Sequence, residues 1–417
     1  MIYRFAHIDM FDELEKIDFK RYSGNVVLWG AGKIGSVVAH RLAQLDIKFL
    51  AFVDTNTKKH GTEFSEHKVI SVEELFSYYP EAVVIITTVH RREVIEQLNA
   101  AGRVFFDAWP LLLEFDWNGY HYMNELYMER MVNYYFLVLS RDLKLKKKYF
   151  VDILILNITN RCNLRCEECS VFIPSIERPC DFDKDEIISD AMNVIDAIGC
   201  FRELSLFGGE PFLHKHLAEI ILAFKDVDKF ESAHIITNGA ILPDDKLISA
   251  IKSDNRMFIR ISDYGKLSSN KDSLIKLLHE NNIKCEILDY KNWYKRAEIR
   301  KFVETEEELR KKFNCCMGAS FPCVSNGKLF LCKVCMSLCE MDVFPEAESN
   351  FLDLTSLRNM EVNKRNEIIR KYIERMDTDD YIDACKYCSG KSNLHYEKPI
   401  PPAKQIKGVM KIEKIKN

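Results

Sequence analysis

The chain has 417 residues, 47% of them hydrophobic, which suits a globular protein of two or three domains. A balance of 59 basic against 63 acidic residues, with net charge −4, excludes a dominant nucleic-acid-binding surface. We find no membrane-length apolar run and no secretory signal, so we expect a cytoplasmic protein that binds neither nucleic acid nor membrane.

Residues 1–116 are predicted to form a Rossmann-like domain with a parallel sheet, after a short helix at 10–17. Its predicted strands and helices are at 25–29, 33–45, 48–53, 82–87, 92–101 and 104–107. The first strand runs into a glycine-rich turn that opens a helix, and the second strand ends in an acid. The residues of this motif are Gly30, Gly32, Gly35 and Asp54. In such a motif the helix start holds a pyrophosphate and the acid bonds a ribose.

This region also resembles the small Rossmann-like domains of sugar-modifying enzymes and of some sugar methyltransferases. Two interpretations of the domain therefore stay open: a site for a nucleotide or nucleotide-sugar, or a scaffold or docking module. Residues 117–148 follow as a helical connector rich in aromatic residues and methionine, whose aromatic stripe indicates packing.

A three-cysteine loop follows an apolar, β-branched segment that is predicted to be a buried strand, 152–157. Cys162, Cys166 and Cys169 have the spacing C-x3-C-x2-C. Three thiolates so close in sequence can bind one iron–sulfur cluster and leave one iron without a protein ligand. The alternatives are a zinc knuckle and a ferredoxin-type site completed by a fourth cysteine. Zinc sites usually supply four ligands in paired units, and ferredoxin motifs space their cysteines differently.

Three further predicted strands end in special residues. The first leads into Gly208-Gly209-Glu210-Pro211, the second ends near Asn238, and the third ends at Ser262 and Asp263. Helical patterns at 184–198, 217–224, 244–252 and 272–281 lie between the strands. This alternation predicts a partial (β/α)6 barrel over 149–290, with its site at the carboxyl ends of the strands.

At these residues the chain resembles the radical SAM superfamily. The resemblance implies that Cys162, Cys166 and Cys169 hold a [4Fe-4S] cluster whose open iron binds S-adenosylmethionine (SAM). It also implies that the segment Gly208–Pro211 meets the SAM amino group, and that Asn238, Ser262 and Asp263 contact its ribose or carboxylate. The residue before the third cysteine is often aromatic in this family; here it is Glu168, and Phe172 is the candidate to replace it beside the adenine.

A second cysteine group lies in residues 291–396, predicted to be a small α+β domain. Gly327 and the short strand that follows it predict a β-hairpin with a cysteine ligand at its tip. The pattern resembles the SPASM and twitch extensions of the family, and the shorter form, twitch, holds one extra [4Fe-4S] cluster. The predicted ligands are Cys316, Cys332, Cys385 and Cys388, with Cys315 able to replace Cys316. A zinc ribbon stays open, since four thiolates in two pairs also suit zinc.

The resemblance implies that the reduced cluster cleaves SAM and that the resulting 5′-deoxyadenosyl radical abstracts hydrogen from a substrate. A second cluster without an open iron suits oxidation or epimerisation of a sugar, cyclitol or nucleotide-sugar, with flavodoxin or ferredoxin as electron donor. The alternatives are a peptide-modifying radical SAM enzyme and a non-catalytic iron–sulfur or nucleotide sensor. No residue is assigned to proton removal, although Tyr264, Tyr294 and Arg296 are polar candidates. The tail, 397–417, is expected to wrap the surface.

Overall fold

A computed structural model describes residues 17–113, 150–289, 295–314, 321–344, 349–377, 380–390 and 400–415, and single residues 11, 14, 132, 135, 136, 139, 143, 293 and 316. The chain forms two compact units, 1–148 and 149–417. Most of the predicted helix at 10–17 and of the predicted connector at 117–148 lies outside the described residues, as do Cys315 and Tyr294. Within the described part, no helix has the length and apolarity needed to cross a membrane.

The first unit contains a six-stranded sheet in the order β3-β4-β2-β1-β5-β6. Its strands are β1 (Val26–Trp29), β2 (Ala51–Val53), β3 (Glu63–Phe64), β4 (His67–Ile70), β5 (Val83–Ile86) and β6 (Phe105–Asp107). All neighbouring pairs are parallel except β3 with β4, which form a hairpin at the edge. Numbered in chain order, the five parallel strands from β4 to β6 have the order 3-2-1-4-5, which is the doubly wound order without its last strand.

Four described helices accompany this sheet: α1 (Lys33–Gln44), α2 (Val72–Tyr78), α3 (Arg91–Ala100) and α4 (Trp109–Leu113). β1 and β5 are buried along their whole length, as expected for strands with helices on both faces. Ser71 and Glu74 form a reciprocal capping box at the start of α2, which satisfies backbone donors that the helix itself leaves unpaired. The sequence analysis did not predict α2, α4 or the β3–β4 hairpin.

The second unit contains an eight-stranded sheet in the order β11-β10-β9-β8-β7-β12-β13-β14. Its strands are β7 (Ile153–Thr159), β8 (Phe201–Gly208), β9 (Phe230–Thr237), β10 (Met257–Asp263), β11 (Lys284–Asp289), β12 (Cys323–Ser325), β13 (Lys328–Phe330) and β14 (Leu352–Asp353). The six strands from β11 to β12 are parallel to one another. The α/β class predicted from the sequence is confirmed for both units.

The helices of the second unit cover this sheet. They are α5 (Lys184–Ile198), α6 (Leu217–Phe224), α7 (Asp245–Lys252), α8 (Lys271–Glu280), α9 (Glu306–Asn314), α10 (Lys333–Glu340) and α11 (Val362–Glu374). α5 begins at Asp183, whose side chain accepts hydrogen bonds from two backbone N–H groups, and it ends at Gly199. The bounds of α5 and α6 are those that the sequence predicts. Both helices have a clear apolar period, and α5 also has a capping aspartate and a glycine at its ends.

The segment after residue 320 continues the same sheet and core. β12 pairs in parallel with β7, Cys323 opposite Ile155, and one hydrophobic cluster includes residues from Val151 to Ala384. The hairpin predicted around Gly327 is present as β12 and β13. The predicted position of its cysteine is wrong: Asn326 and Gly327 make the turn, whereas Cys332 follows β13 and begins α10.

The carboxyl ends of β7, β8, β9 and β10 lie along one edge of this sheet. A bulge at the end of β7 sets Thr159 opposite Gly208 of β8. The last residues of these four strands and the loops that leave them include every residue predicted to meet the first cluster or SAM.

Candidate functional site

The three cysteines of the first motif lie together in the loop that leaves β7. Cys166 is buried, and Cys162 and Cys169 are half-buried. The three sulfurs are close enough that Cys166 and Cys169 each raise the pKa of Cys162. Burial raises the pKa of Cys162 to about 12 and that of Cys166 to about 11. The loop therefore favours thiols until a cation stabilises the thiolates.

Two of these sulfurs accept hydrogen bonds from the protein. The backbone N–H of Leu164 donates to Cys162 Sγ at 3.4 Å, and Gln405 Nε2 donates to Cys166 Sγ at 3.2 Å. Donors directed at sulfur stabilise the negative charge of a thiolate bound to iron. The three cysteines and the hydrogen-bond donors beside them thus fit a [4Fe-4S] cluster that takes three ligands from this loop.

Gly208 and Gly209 bring the exit of β8 against the cysteine loop. A Cβ on Gly208 would lie 2.2 Å from the carbonyl oxygen of Thr159, and one on Gly209 would lie 2.1 Å from that of Arg161. At this spacing the backbone N–H of Gly209 donates to Thr159 and that of Glu210 donates to Arg161, both at 2.8 Å. Glycine is required at both positions because two loops of the chain touch there.

Glu210 is fully buried and ties two strand ends together. Its carboxylate accepts a hydrogen bond from the backbone N–H of Phe212 at 3.1 Å and another from that of Asn238 at 2.8 Å. Burial raises its pKa to about 7, against the opposite effect of these hydrogen bonds. A buried carboxyl group with a pKa near 7 loses its proton readily when an ammonium group approaches, because the cation stabilises the carboxylate.

The other three residues predicted to contact SAM differ in burial and in the hydrogen bonds that their side chains already make. Asn238 faces the cysteine loop, because its Nδ2 donates to Asn163 Oδ1 at 2.8 Å and lies 3.9 Å from Cys162 Sγ. Ser262 is buried near the end of β10. Asp263 accepts from Lys271 Nζ at 2.6 Å and from the backbone N–H of Gly265 at 2.8 Å, so its carboxylate has partners in its own loop.

Phe172 is buried beneath an arginine. The Arg296 guanidinium lies 4.6 Å from the centre of the Phe172 ring, so this ring face packs against a cation. Arg296 also holds the cysteine loop: its backbone N–H donates to Glu168 Oε2 and its Nη1 donates to the carbonyl of Glu167, each at 2.8 Å. Arg296 therefore acts in the structure of the loop, and adenine stacking on Phe172 has no support in this geometry.

Two other aromatic rings pack beside the loop. Tyr264 and Trp293 meet edge to face with centres 5.3 Å apart, and both contact the small cluster around Leu164 and Cys166. The sequence analysis considered Tyr264 only as a polar group and did not identify Trp293. A lone aromatic residue some 130 positions beyond the cysteine motif gives no local signal of this packing.

The four cysteines predicted for the auxiliary cluster line one cavity. These are Cys316, Cys332, Cys385 and Cys388. Burial raises the pKa of Cys332 to about 12, and the Cys316 and Cys388 sulfurs raise it further. The mutual repulsion of these thiolates would be relieved by iron, so the donor set fits a four-cysteine cluster.

This cavity contains two residues that sequence reasoning did not single out. Cys335 is a fifth thiol in its wall, and its Sγ lies 3.6 Å from that of Cys339 one helical turn later. Lys312 is buried and donates from Nζ to the carbonyl oxygens of Cys385 at 2.8 Å and Cys388 at 2.9 Å. The lysine thus fixes the turn that carries the CxxC pair.

Among the described residues, no three His, Cys, Asp or Glu side chains are gathered closely enough to hold one metal ion. A cubane cluster makes a different demand, because each of its cysteines binds a different iron atom.

In the first unit, the glycine-rich turn has the geometry of a strand-to-helix turn. Gly30 has φ +127°, and a Cβ on Gly35 would lie 2.1 Å from the Gly30 carbonyl oxygen, whereas Gly32 has open space. Asp54 Oδ2 accepts from the backbone N–H of Ala31 at 3.1 Å and from Lys59 Nζ at 2.7 Å. A ribose at this position would have to compete with these contacts for the carboxylate.

Two family models match the chain. Residues 156–264 match the Radical SAM superfamily, and this match runs from within β7 to just beyond β10. Residues 22–103 match the family described as C2185-like, N-terminal. The chain therefore contains a radical SAM domain.

Among individual relatives, a GTP 3′,8-cyclase of Microcystis aeruginosa is 33% identical over 95 residues, which are 22% of this chain and 29% of that protein. A GTP 3′,8-cyclase of Listeria welshimeri is 31% identical over 116 residues, 27% of this chain and 33% of that one. The chain thus spans about a third or less of the length of these relatives.

Among solved structures, BtrN in complex with AdoMet and 2-DOIA matches with a TM-score of 0.36 at 16% identity, covering 60% of this chain and 98% of that one.

Proposed function

We propose that this chain is a radical SAM enzyme that abstracts a hydrogen atom from a substrate carbon by way of a 5′-deoxyadenosyl radical. One observation carries the proposal: three cysteine side chains meet in the loop that leaves the carboxyl end of β7, and Gly208–Pro211 leaves β8 directly against them. When bound, the cluster and SAM supply the reductive cleavage that forms the radical.

In this proposal the chain's own residues hold the reactants and orient them. Cys162, Cys166 and Cys169 bind the cluster, and the buried Glu210 carboxyl faces the SAM ammonium group. Asn238, at the end of β9, adds a polar side chain to the same site, where it already donates a hydrogen bond to Asn163 of the cysteine loop. Their fixed positions at three strand ends reduce the entropy cost of placing cofactor and substrate together.

The finer proposal is oxidation or epimerisation of a sugar, cyclitol or nucleotide-sugar. Its support is the second cysteine cavity, because a cluster bound by four cysteines has no vacant iron and suits electron transfer better than substrate binding. The doubly wound strand order in the first unit supports a nucleotide-sugar or a docking role. The proposed setting is a reducing cytoplasm, with flavodoxin or ferredoxin as the electron donor.

The first experiment tests the reaction class and the number of clusters. Anaerobically reconstituted protein with SAM and dithionite should form 5′-deoxyadenosine, and it should contain about eight irons per chain. Replacing Cys385 and Cys388 by Ala should lower the count to about four, while a Cys162→Ala variant should form no 5′-deoxyadenosine. A protein that binds SAM but never cleaves it would instead be a sensor.

The second experiment tests the substrate class. Sugars, cyclitols and nucleotide-sugars deuterated at their carbinol carbons are offered to the reduced enzyme, and deuterium in 5′-deoxyadenosine is measured by mass spectrometry. Transfer from one of these compounds supports the proposal. Transfer only from Cα- or Cβ-deuterated peptides would replace it with the peptide-modifying alternative.

A further inference from the structure

The last described segment of the chain crosses the three-cysteine loop and pairs with it through an isolated antiparallel bridge. Residues 400–415, called here the C-terminal strap, pair with the loop at Cys166 and Gln405 in antiparallel fashion. The backbone N–H of Glu167 donates to the carbonyl of Lys404 at 2.8 Å, and that of Ile406 donates to the carbonyl of Arg165 at 2.9 Å. These bonds fix the register of the strap against the loop.

Several other contacts hold the strap in place. Arg165 Nη2 donates to the carbonyl of Gly408 at 2.6 Å, and Lys404 forms an ion pair with Glu167 at 2.7 Å. The side chain of Ala403 is completely buried in the cluster that includes Leu164 and Cys166. The strap is thus packed against the loop as well as hydrogen-bonded to it.

The side chain of Gln405 is directed at a cluster ligand. Its Oε1 accepts from the backbone N–H of Arg165 at 2.7 Å, and its Nε2 donates to Cys166 Sγ at 3.2 Å and to the carbonyl of Ala403 at 2.7 Å. The backbone N–H of Arg165 can only donate and the carbonyl oxygen of Ala403 can only accept. These two partners therefore determine which end of the Gln405 amide faces the sulfur. The orientation follows from the backbone and not from an arbitrary choice between oxygen and nitrogen.

We propose that Gln405 is a positioning residue that makes the SAM-binding cluster easier to reduce by donating a hydrogen bond to the Cys166 sulfur. This inference rests on the proposed function, since it assumes a cluster on Cys162, Cys166 and Cys169. Reduction adds one negative charge to the cluster and its thiolates. A donor at a ligand sulfur stabilises that charge, and hydrogen bonds to sulfur are among the factors that set the potentials of iron–sulfur clusters.

The test uses the full reconstituted chain and a potentiometric titration followed by EPR. Gln405→Leu has a similar size and no donor, and Gln405→Glu adds an acceptor and a charge. At the wild-type midpoint potential, the ratio of reduced to oxidised SAM-binding cluster should fall about tenfold in Gln405→Leu, a downward shift of about 59 mV for one electron. Gln405→Glu should shift the midpoint further in the same direction.

Two controls separate this effect from general damage. Ile406→Leu changes a neighbouring residue of the strap without altering a charge or the donor to Cys166, so its midpoint should match the wild type. The auxiliary cluster serves as an internal reference, and its midpoint should not change in any variant. A wild-type midpoint in Gln405→Leu with full iron content would overturn the inference.

A spectroscopic measurement covers the case in which the variants fail to hold iron. In wild-type protein exchanged into D₂O, pulsed EPR of the reduced SAM-binding cluster should show a deuteron coupling, and selective ¹⁵N labelling of glutamine should show the Gln405 nitrogen beside it. Absence of the nitrogen coupling overturns the inference. If the midpoint shift occurs in a protein that forms no 5′-deoxyadenosine, the inference holds and the proposed function fails.

Discussion

Glu340 ends a buried chain of polar side chains at the end of α10. Asn157 Nδ2 donates to Ser325 Oγ at 2.8 Å, and the Ser325 hydroxyl donates to Glu340 Oε1. Burial raises the pKa of Glu340 to about 7, although the Ser325 hydrogen bond and Lys328 favour the charged form. The folded protein therefore keeps a proton on this carboxyl that the unfolded chain releases near pH 4.5.

The sign of the pH dependence follows from this shift. The contribution of Glu340 to stability is fully present below pH 4.5, falls as the pH rises to about 7, and is constant above that. Relative to Glu340→Gln, the wild type should lose up to about 3 kcal/mol of unfolding free energy between pH 4.5 and pH 8. Urea denaturation of both proteins across this range measures the difference.

A surface charge provides the control for this experiment. Glu307 is exposed on α9, and Glu307→Gln removes the same charge without altering a buried group. Its unfolding free energy should follow that of the wild type at every pH. Parallel curves for wild type and Glu340→Gln would contradict the prediction.

The cysteine residues show what local sequence can and cannot predict. The first ligand set is predicted from its short spacing and the second from its resemblance to the SPASM and twitch pattern, and the structure brings each set together, Cys332 with Cys385 for example. Gln405 could not be predicted, because its contact with Cys166 spans 239 positions and depends on how the strap pairs with the loop. A single glutamine in a lysine-rich tail carries no motif.

At the scale of elements, α11 is attached to α5 through a partly buried ion pair. Arg358, just before α11, donates to both carboxylate oxygens of Asp190 at 3.2 and 3.1 Å and to Glu186 at 3.2 Å. Asp190 is 1% exposed, and burial raises its pKa even though Arg358 lowers it. Without the arginine, α5 would keep a buried carboxyl group with no cationic partner.

We expect Arg358→Met to lower the unfolding free energy of the second unit by about 3 kcal/mol, because breaking a buried pair leaves one charge uncompensated. Combining it with Asp190→Asn should recover part of this loss. Urea denaturation monitored by circular dichroism measures the unfolding free energy of the single and the double variant. Glu186→Gln removes only the more exposed partner and should cost less than about 1 kcal/mol; an equal cost for both single variants would refute the assignment.

Element boundaries were predictable where one segment carried its own period and caps, as in α5. Pairing between distant segments was not, and β12 is the clearest case. Cys323–Ser325 is only three residues long, and its parallel pairing with β7 brings together positions about 168 apart in sequence. No local pattern determines such a register, because β-pairing depends on neighbours that only the complete fold supplies.

At the scale of the whole molecule, the fourteen cysteines are distributed unequally between the two units. All of them lie between positions 162 and 388, within the second unit, and the first unit, 1–148, contains none. Iron can therefore stabilise only one of the two units through thiolate ligands. Ligands that bind the native state raise its unfolding free energy, and removing them lowers it.

This division predicts two calorimetric transitions that respond differently to the loss of iron. Removing the clusters with chelator under oxidising conditions should lower the unfolding temperature of 149–417 and leave that of 1–148 unchanged. If the clusters contribute about 3 kcal/mol, the shift should be about 6–12 °C. Scanning calorimetry of the full chain with and without iron measures both transitions, and a Cys162→Ala, Cys385→Ala double variant should resemble the iron-free protein before any chelator is added. Equal shifts in both transitions would show that the stability of 1–148 depends on iron bound by the other unit.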